Sequence, residues 1–121
     1  MNRGDVVLVD FTRVAGPMAK RRPEVVVQND NDNRRMTNTI VAMITGNVSR
    51  SGEPTQRLID PATADGASSG LRHVSVVNCS NLFTIKQRDV ARTLGHLAPA
   101  LLVQIDRCLQ VAPAFFWGLF I

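Results

Sequence analysis

Arg21-Arg22-Pro23-Glu24-Val25-Val26-Val27-Gln28-Asn29-Asp30 is the stretch on which the fold turns. Pro23 fixes its own φ and pushes Arg22 out of helical geometry into extended backbone. Three consecutive valines follow, and their branched Cβ atoms favour strand over helix. An apolar run without alternation reads as a strand buried on both faces, here Glu24 to Gln28. Asn29-Asp30-Asn31-Asp32-Asn33 is turn chemistry, because these side chains bond their own backbone. A loop leads in from the other side, marked by Gly16-Pro17 and the basic run Lys20-Arg21-Arg22.

Outward from this strand the chain reads mostly as short strands. Val6 to Phe11 is a first one, and Thr39 to Thr45 a third. After a polar stretch, Gln56 to Ile59 is short and extended. Pro61 to Gly70 is loop, rich in Ala, Ser, Asp and Gly. His73 to Cys79 and Leu82 to Lys86 read as two more strands, and Gln87 to Leu94 as a short helix stopped by Gly95. Pro99 to Ala112 is the clearest helix: Leu101, Leu102, Ile105, Cys108, Leu109 and Ala112 share one face, with Gln104, Asp106, Arg107 and Gln110 on the other. Short strands closed by one amphipathic helix predict a mainly β domain with α, a small curled antiparallel sheet capped by a C-terminal helix.

The chain has 121 residues, which suits one domain, and 45% apolar content suits a globular one. A net charge of +4 favours polyanionic partners, nucleic acid first. Cys79 and Cys108 belong to no C-x-x-C pair and read as buried, reduced thiols. No apolar run reaches the ~20 residues of a membrane helix, and Met1 to Asp5 leads straight into a strand. The expectation is a cytoplasmic protein without membrane contact.

Phosphate-loop, dinucleotide, zinc-protease and serine-hydrolase signatures are all missing. His73 and His96 lie far apart without neighbouring ligand types, and the acidic residues are scattered, so no metal and no cofactor is expected. RNA cleavage needs neither, because RNA carries its own nucleophile, the 2′-OH. An enzyme then has to align the backbone, stabilise charge on phosphorus and move two protons. A guanidinium offers phosphate a permanent charge and a planar fork of donors, and a hydroxyl adds another hydrogen bond. Arg22 and Thr45 fit that minimal pair, although composition alone does not separate them from a solvated loop residue and an ordinary strand-end threonine.

Several segments, in order, resemble the MazF/PemK toxins. Arg3-Gly4-Asp5 before a hydrophobic strand is similar to the family's opening. Arg21-Arg22-Pro23 through Asn29-Asp30 resembles its R-P-V…Q-N-D strand, and Asn33 with Thr39-Ile40-Val41-Ala42-Met43-Ile44-Thr45 resembles its third strand. Gly70-Leu71, Ser75-Val76-Val77, Thr84-Ile85 and Gly95-His96-Leu97 continue in the same order, so the resemblance spans about residues 3 to 111. It implies an SH3-like, CcdB-like barrel acting as a homodimer on single-stranded RNA and neutralised by a cognate antitoxin. It also implies that Arg22 and Thr45 are the catalytic pair. Two positions depart from PemK/Kid-type members: Asn78 and Ser80 align with their arginine and aspartate. The stretch Ser75 to Asn78 is closer to mycobacterial-type members. Glu24 stands where Val is usual, with an arginine near enough to pair with it, and Phe83 stands where many relatives carry arginine.

RNA contacts are expected from Lys20 and Arg21 in the loop from Met18, and from Arg34 and Arg35, all through phosphate. Asn78, Ser80 and Asn81 read either as base-edge readers or as turn residues. Aromatics are few, leaving Phe11, Phe83 and the C-terminal cluster for base stacking. The toxin-like domain is expected to span residues 1–112, with an apolar tail at 113–121. That tail admits a second function, because Phe116-Trp117-Gly118 resembles the ending with which CcdB-type toxins poison DNA gyrase. A third reading is a non-catalytic module that only binds an antitoxin.

Overall fold

In the computed structural model the described residues are 1–12, 16–18 and 20–118, with side chains to residue 112. Six strands are described: β1 (Asp5–Val9), β2 (Arg22–Val26), β3 (Asn38–Thr45), β4 (Gln56–Ile59), β5 (Ser75–Lys86) and β6 (Val90–His96). Two α-helices join them, α1 (Asp30–Arg35) and α2 (Pro99–Gly118). The sheet order is β4-β5-β3-β2-β1-β6 and every pairing is antiparallel.

Both faces of the sheet are apolar at its centre, which explains the unbroken valine run. One face, with Val6, Val25, Ala42, Ile44 and Val77, packs against Leu101, Ile105 and Cys108 of α2. The other gathers Val7, Val9, Val26, Val41 and Ile85, with Phe11 and Val90 against them. Two strands separate β1 from β5 in the sheet, yet the Phe11 and Phe83 ring centroids lie 6.5 Å apart. The sheet therefore curls, and this second face is its concave side.

The Asn29–Asn33 stretch forms a helix start, where a turn was expected. Asn29 Oδ1 accepts from the Asp32 amide at 2.8 Å and caps α1, with acids in its first turn and arginines in its last. Asn33 is buried beside it and joins three elements. It accepts from Gln28 Nε2 at 2.9 Å and Thr39 Oγ1 at 2.6 Å, and donates to the Gln28 carbonyl at 3.0 Å. The Gln, Asn and Thr of these motifs thus hold the β2–α1–β3 connection together.

Two further expectations are corrected. His73–Cys79 and Leu82–Lys86 are one bent strand: Met43 pairs with Asn78 and Ala42 with Leu82, so Cys79, Ser80 and Asn81 bulge out of the ladder. Gln87–Leu94 is no helix; a 3₁₀ turn at Gln87–Asp89 leads into β6, which pairs with the free edge of β1. Gly95 serves close approach rather than helix termination. A Cβ there would sit 2.3 Å from the Ser68 carbonyl oxygen, and one at Gly70 (φ +73°) 2.0 Å from that of Leu94. The last helix runs past Ala112 to Gly118. The tail expected at 113–121, including the Phe116-Trp117-Gly118 similarity, lies outside the described side chains. Cys79 and Cys108 are free and buried, and burial, reinforced by Cys108, pushes the Cys79 thiol up to about 12. No described helix is long and apolar enough to cross a membrane.

Candidate active site

Arg22 opens β2, paired with Val9 of β1, and is exposed. On the other side, β2 pairs with β3 in the register Val26↔Val41, Val25↔Ala42, Glu24↔Met43. Continued by two residues, that register sets Arg22 opposite Thr45, which closes β3. Strand alternation puts Arg22 and Glu24 on the concave face with Met43 and Thr45. Thr45 Oγ1 accepts from the Asn47 amide at 3.1 Å, which orients the hydroxyl and leaves its hydrogen free to donate.

The next strand extends this row. Asn78 lies opposite Met43 on one side and Gln56 of β4 on the other. Its Oδ1 accepts from Gln56 Nε2 at 2.9 Å and from the Ser80 amide at 3.0 Å. Asn78 is thereby fixed with its amide hydrogens pointing elsewhere, and Ser80 and Asn81 are held out on the exposed bulge. Asn81 Nδ2 reaches Met43 Sδ at 3.8 Å. The arrangement brings Arg22, Thr45, Asn78, Ser80 and Asn81 to one end of one face. Gln56 was not singled out from the sequence, since a lone glutamine in a short strand gives no signal.

The remaining basic residues divide. Lys20 and Arg21 are exposed just before Arg22, and Arg21 lies 3.6 Å from Asp10. Arg34 and Arg35 sit on α1, before the start of β3, with that strand's roughly 23 Å length between them and Thr45. Arg35 is paired with Asp32 at 2.7 Å. Within one chain these two are not brought to Arg22.

Glu24 is the unexpected member. It is 1% exposed, and one carboxyl oxygen has no hydrogen-bond partner among the described residues. Burial raises its pKa to about 8, against the opposing attraction of the Arg22 guanidinium. No ion pair between Glu24 and Arg22 occurs among the described residues, and burial favours the protonated carboxyl in the neutral range. No group of three or more metal-ligating side chains occurs among the described residues. His96 instead lies against Asp5, Nδ1 to Oδ1 at 2.8 Å.

A curled antiparallel sheet with one covering helix, and a concave face carrying an exposed arginine and an oriented hydroxyl at one end, defines a small, mainly β domain. The chain belongs to the PemK-like, MazF-like toxins of type II toxin–antitoxin systems, whose family model matches residues 2–112. It is 30% identical over 115 residues to the endoribonuclease EndoA of Bacillus subtilis, covering 94% of this chain and 95% of that one. It is also 30% identical over 112 residues to the endoribonuclease MazF6 of Mycobacterium tuberculosis, covering 91% and 94%. The fold is similar to that of a mycobacterial endoribonuclease solved with its cognate antitoxin, with a TM-score of 0.74 over 94% of this chain and 95% of that one, at 23% identity.

Proposed function

We propose that this toxin is a metal-independent endoribonuclease that cuts single-stranded RNA, with Arg22 and Thr45 at the reacting phosphate. The observation that supports this reading is the β2–β3 register, which ends at Glu24↔Met43 and, continued by two residues, puts Arg22 and Thr45 opposite each other on the concave face. The RNA 2′-oxygen attacks phosphorus, the bond from phosphorus to the 5′-oxygen breaks, and the products end in a 2′,3′-cyclic phosphate and a 5′-OH. Arg22 supplies its charge and donors to the phosphoryl oxygens as charge builds there, and the Thr45 hydroxyl donates a further hydrogen bond. Lys20 and Arg21 contact phosphate beside them, and Asn78 next to the bulge and Ser80 and Asn81 on it meet base edges. Arg34 and Arg35 meet RNA only where a second copy brings α1 alongside the groove, which agrees with a homodimer. A cognate antitoxin as partner is supported by the mycobacterial relative solved with one. The work proposed is cytoplasmic, where the RNA is.

The test is incubation of the purified protein with unstructured RNA in excess EDTA, beside Arg22→Ala. Fragments with 5′-OH ends from the parent alone support the proposal. Intact RNA overturns it, and trapped gyrase–DNA complexes from the same preparation would direct attention to the C-terminal residues instead.

A further inference from the structure

A groove of about 410 Å³ lies on the other face of the sheet, the side that α2 covers. Half-buried Leu8, Pro23 and Leu71 form its floor, and exposed Arg72, His73 and Arg92 its rim. We propose that it binds the phosphodiester backbone of the RNA strand, a few nucleotides away from the phosphate at Arg22, after the strand has passed around the end of β2. The inference rests on the nuclease reading and carries the RNA footprint beyond the concave face.

Charge is the first support. No described residue lining the groove is acidic. Arg3, Arg21, Arg35 and Arg50 each lie within 4.0 Å of a carboxylate. Arg72 and Arg92 meet none among the described residues, and neither guanidinium is spent there on a hydrogen bond. Two guanidiniums on one groove repel each other until an anion lies between them, and their planar forks match phosphate oxygens. Rigidity is the second support. Arg92 is mounted on β6 opposite Leu8, which in turn pairs with Pro23. The segment carrying Arg72 is locked against β6, because Gly70 packs so closely that a Cβ would meet the Leu94 carbonyl oxygen at 2.0 Å. Further along, Ser75 Oγ donates to the His73 carbonyl at 3.0 Å. Backbone packing thus sets where both arginines start, so less freedom is lost when they close on a ligand.

Continuity with Arg22 selects RNA among the anions. Successive residues of a strand face opposite sides, so Pro23 lines this groove while Arg22 faces the concave side. The two sites are the back and the front of one strand end. Exposed Lys20 and Arg21 precede that end and offer cations to a strand passing round it. The apolar floor suits the ribose of a polynucleotide and offers nothing to a small inorganic anion. Contacts to phosphate position a strand without reading its sequence, so the groove favours longer RNA and does not choose the cutting site.

The test measures binding of unstructured 2′-O-methyl oligonucleotides, which keep the phosphates and lack the attacking hydroxyl. A short set spans the Arg22 site alone, and a long set has room to reach the reverse face. Arg72→Gln combined with Arg92→Gln should weaken binding of the long set on the order of tenfold or more and leave the short set unchanged. For the long set, the slope of log affinity against log salt should become shallower by about 1.4, at about 0.7 for each lost phosphate contact. Each single variant should show about half of that change. Arg107→Gln, which removes a charge from an exposed position on α2, should change neither set. Unchanged melting temperatures would show that the variants fold. Parent-like binding and slope in the double variant overturn the groove. An equal loss on short and long sets also overturns it, because the arginines would then act only through the protein's overall field. Loss of antitoxin binding with RNA binding intact makes the groove a site for an acidic protein segment, and the proposal falls. The two readings fail separately. Length-dependent loss in a protein whose parent cuts no RNA upholds the groove and sinks the nuclease. Cleavage by a parent whose double variant binds the long set equally does the reverse. Absence of oligonucleotide binding sinks both.

Discussion

Continuing the β2–β3 register two residues past its last pair, Glu24↔Met43, sets Arg22 of β2 opposite Thr45 of β3. Each also pairs outward, Arg22 with Val9 and Thr45 with Val76, so neither side chain hangs on a free loop. Side chains on rigid strands hold a reacting phosphate with less positional freedom than loop residues do, and alignment is a large part of the barrier.

That placement separates two roles. Arg22→Ala should lower single-turnover RNA cleavage by about 10²–10³, corresponding to roughly 2.7–4 kcal/mol of lost transition-state stabilisation. Arg22→Lys should recover little, because a point charge does not reproduce two parallel donors. Thr45→Ser should keep most activity and Thr45→Val should not, since only the hydroxyl is asked to donate. A Thr45→Val enzyme cutting at the parent's rate would remove Thr45 from the mechanism.

Asn33 should matter as much for stability as the barrel core. It is buried and bonds Gln28 and Thr39, so Asn33→Ala leaves the Thr39 hydroxyl and the Gln28 carbonyl without that partner. Urea unfolding should report a loss of about 2–3 kcal/mol, the cost of buried polar groups left unmatched. Asn31, two residues earlier and exposed, provides the control: Asn31→Ala should change stability by no more than about 0.5 kcal/mol.

Much of this was legible before the structure. The Pro23-bounded valine run, the third strand and the amphipathic face of α2 each depend on local pattern; the third strand and the helix fell close to where it placed them, whereas β2 runs Arg22–Val26, two residues ahead of the expected Glu24–Gln28. Gln87–Leu94 failed because its sequence is compatible with either state. What decided it was the free edge of β1, which lies more than 80 residues away and which no local window can see. The three-residue bulge at Cys79–Asn81 failed for a similar reason: it exists only relative to β3. The Arg22–Thr45 pairing needed the resemblance, since an arginine before proline and a threonine at a strand end are each unremarkable alone. Glu24 was visible as an oddity, but its burial depends on neighbours from β1 and β3, Val7 and Met43.

Gly95→Ala should be among the most damaging substitutions outside the core. The added Cβ meets the Ser68 carbonyl oxygen at 2.3 Å and Ser69 backbone atoms at 2.5 and 2.6 Å. Backbone cannot rotate aside as a side chain can, so β6 or the 3₁₀ turn at Ala67–Ser69 must shift. Stability should fall on the order of 3 kcal/mol by urea unfolding. Gly46→Ala, where nothing lies within 4 Å, should be nearly silent.

Glu24 should give the protein a stability that declines with pH through the neutral range. Below about pH 4.5 its carboxyl is protonated in folded and unfolded chains alike and adds nothing to the difference. Above that, the unfolded chain releases its proton while burial makes the folded chain hold on to it. Folding then retains a proton that unfolding would release, so each further pH unit favours the unfolded chain. The decline should level off above about pH 8, where the folded carboxyl ionises too, and its total should not exceed roughly 5 kcal/mol. Glu24→Val should flatten this dependence in urea unfolding measured across the range, and should be the more stable protein at its alkaline end. RNA affinity should follow the same group. Above about pH 8 an ionised Glu24 on the face of Arg22 draws on the charge that phosphate needs, so parent binding should weaken there while Glu24→Val binding does not. Parallel pH profiles for the two proteins would show that Glu24 does not govern the charge at Arg22.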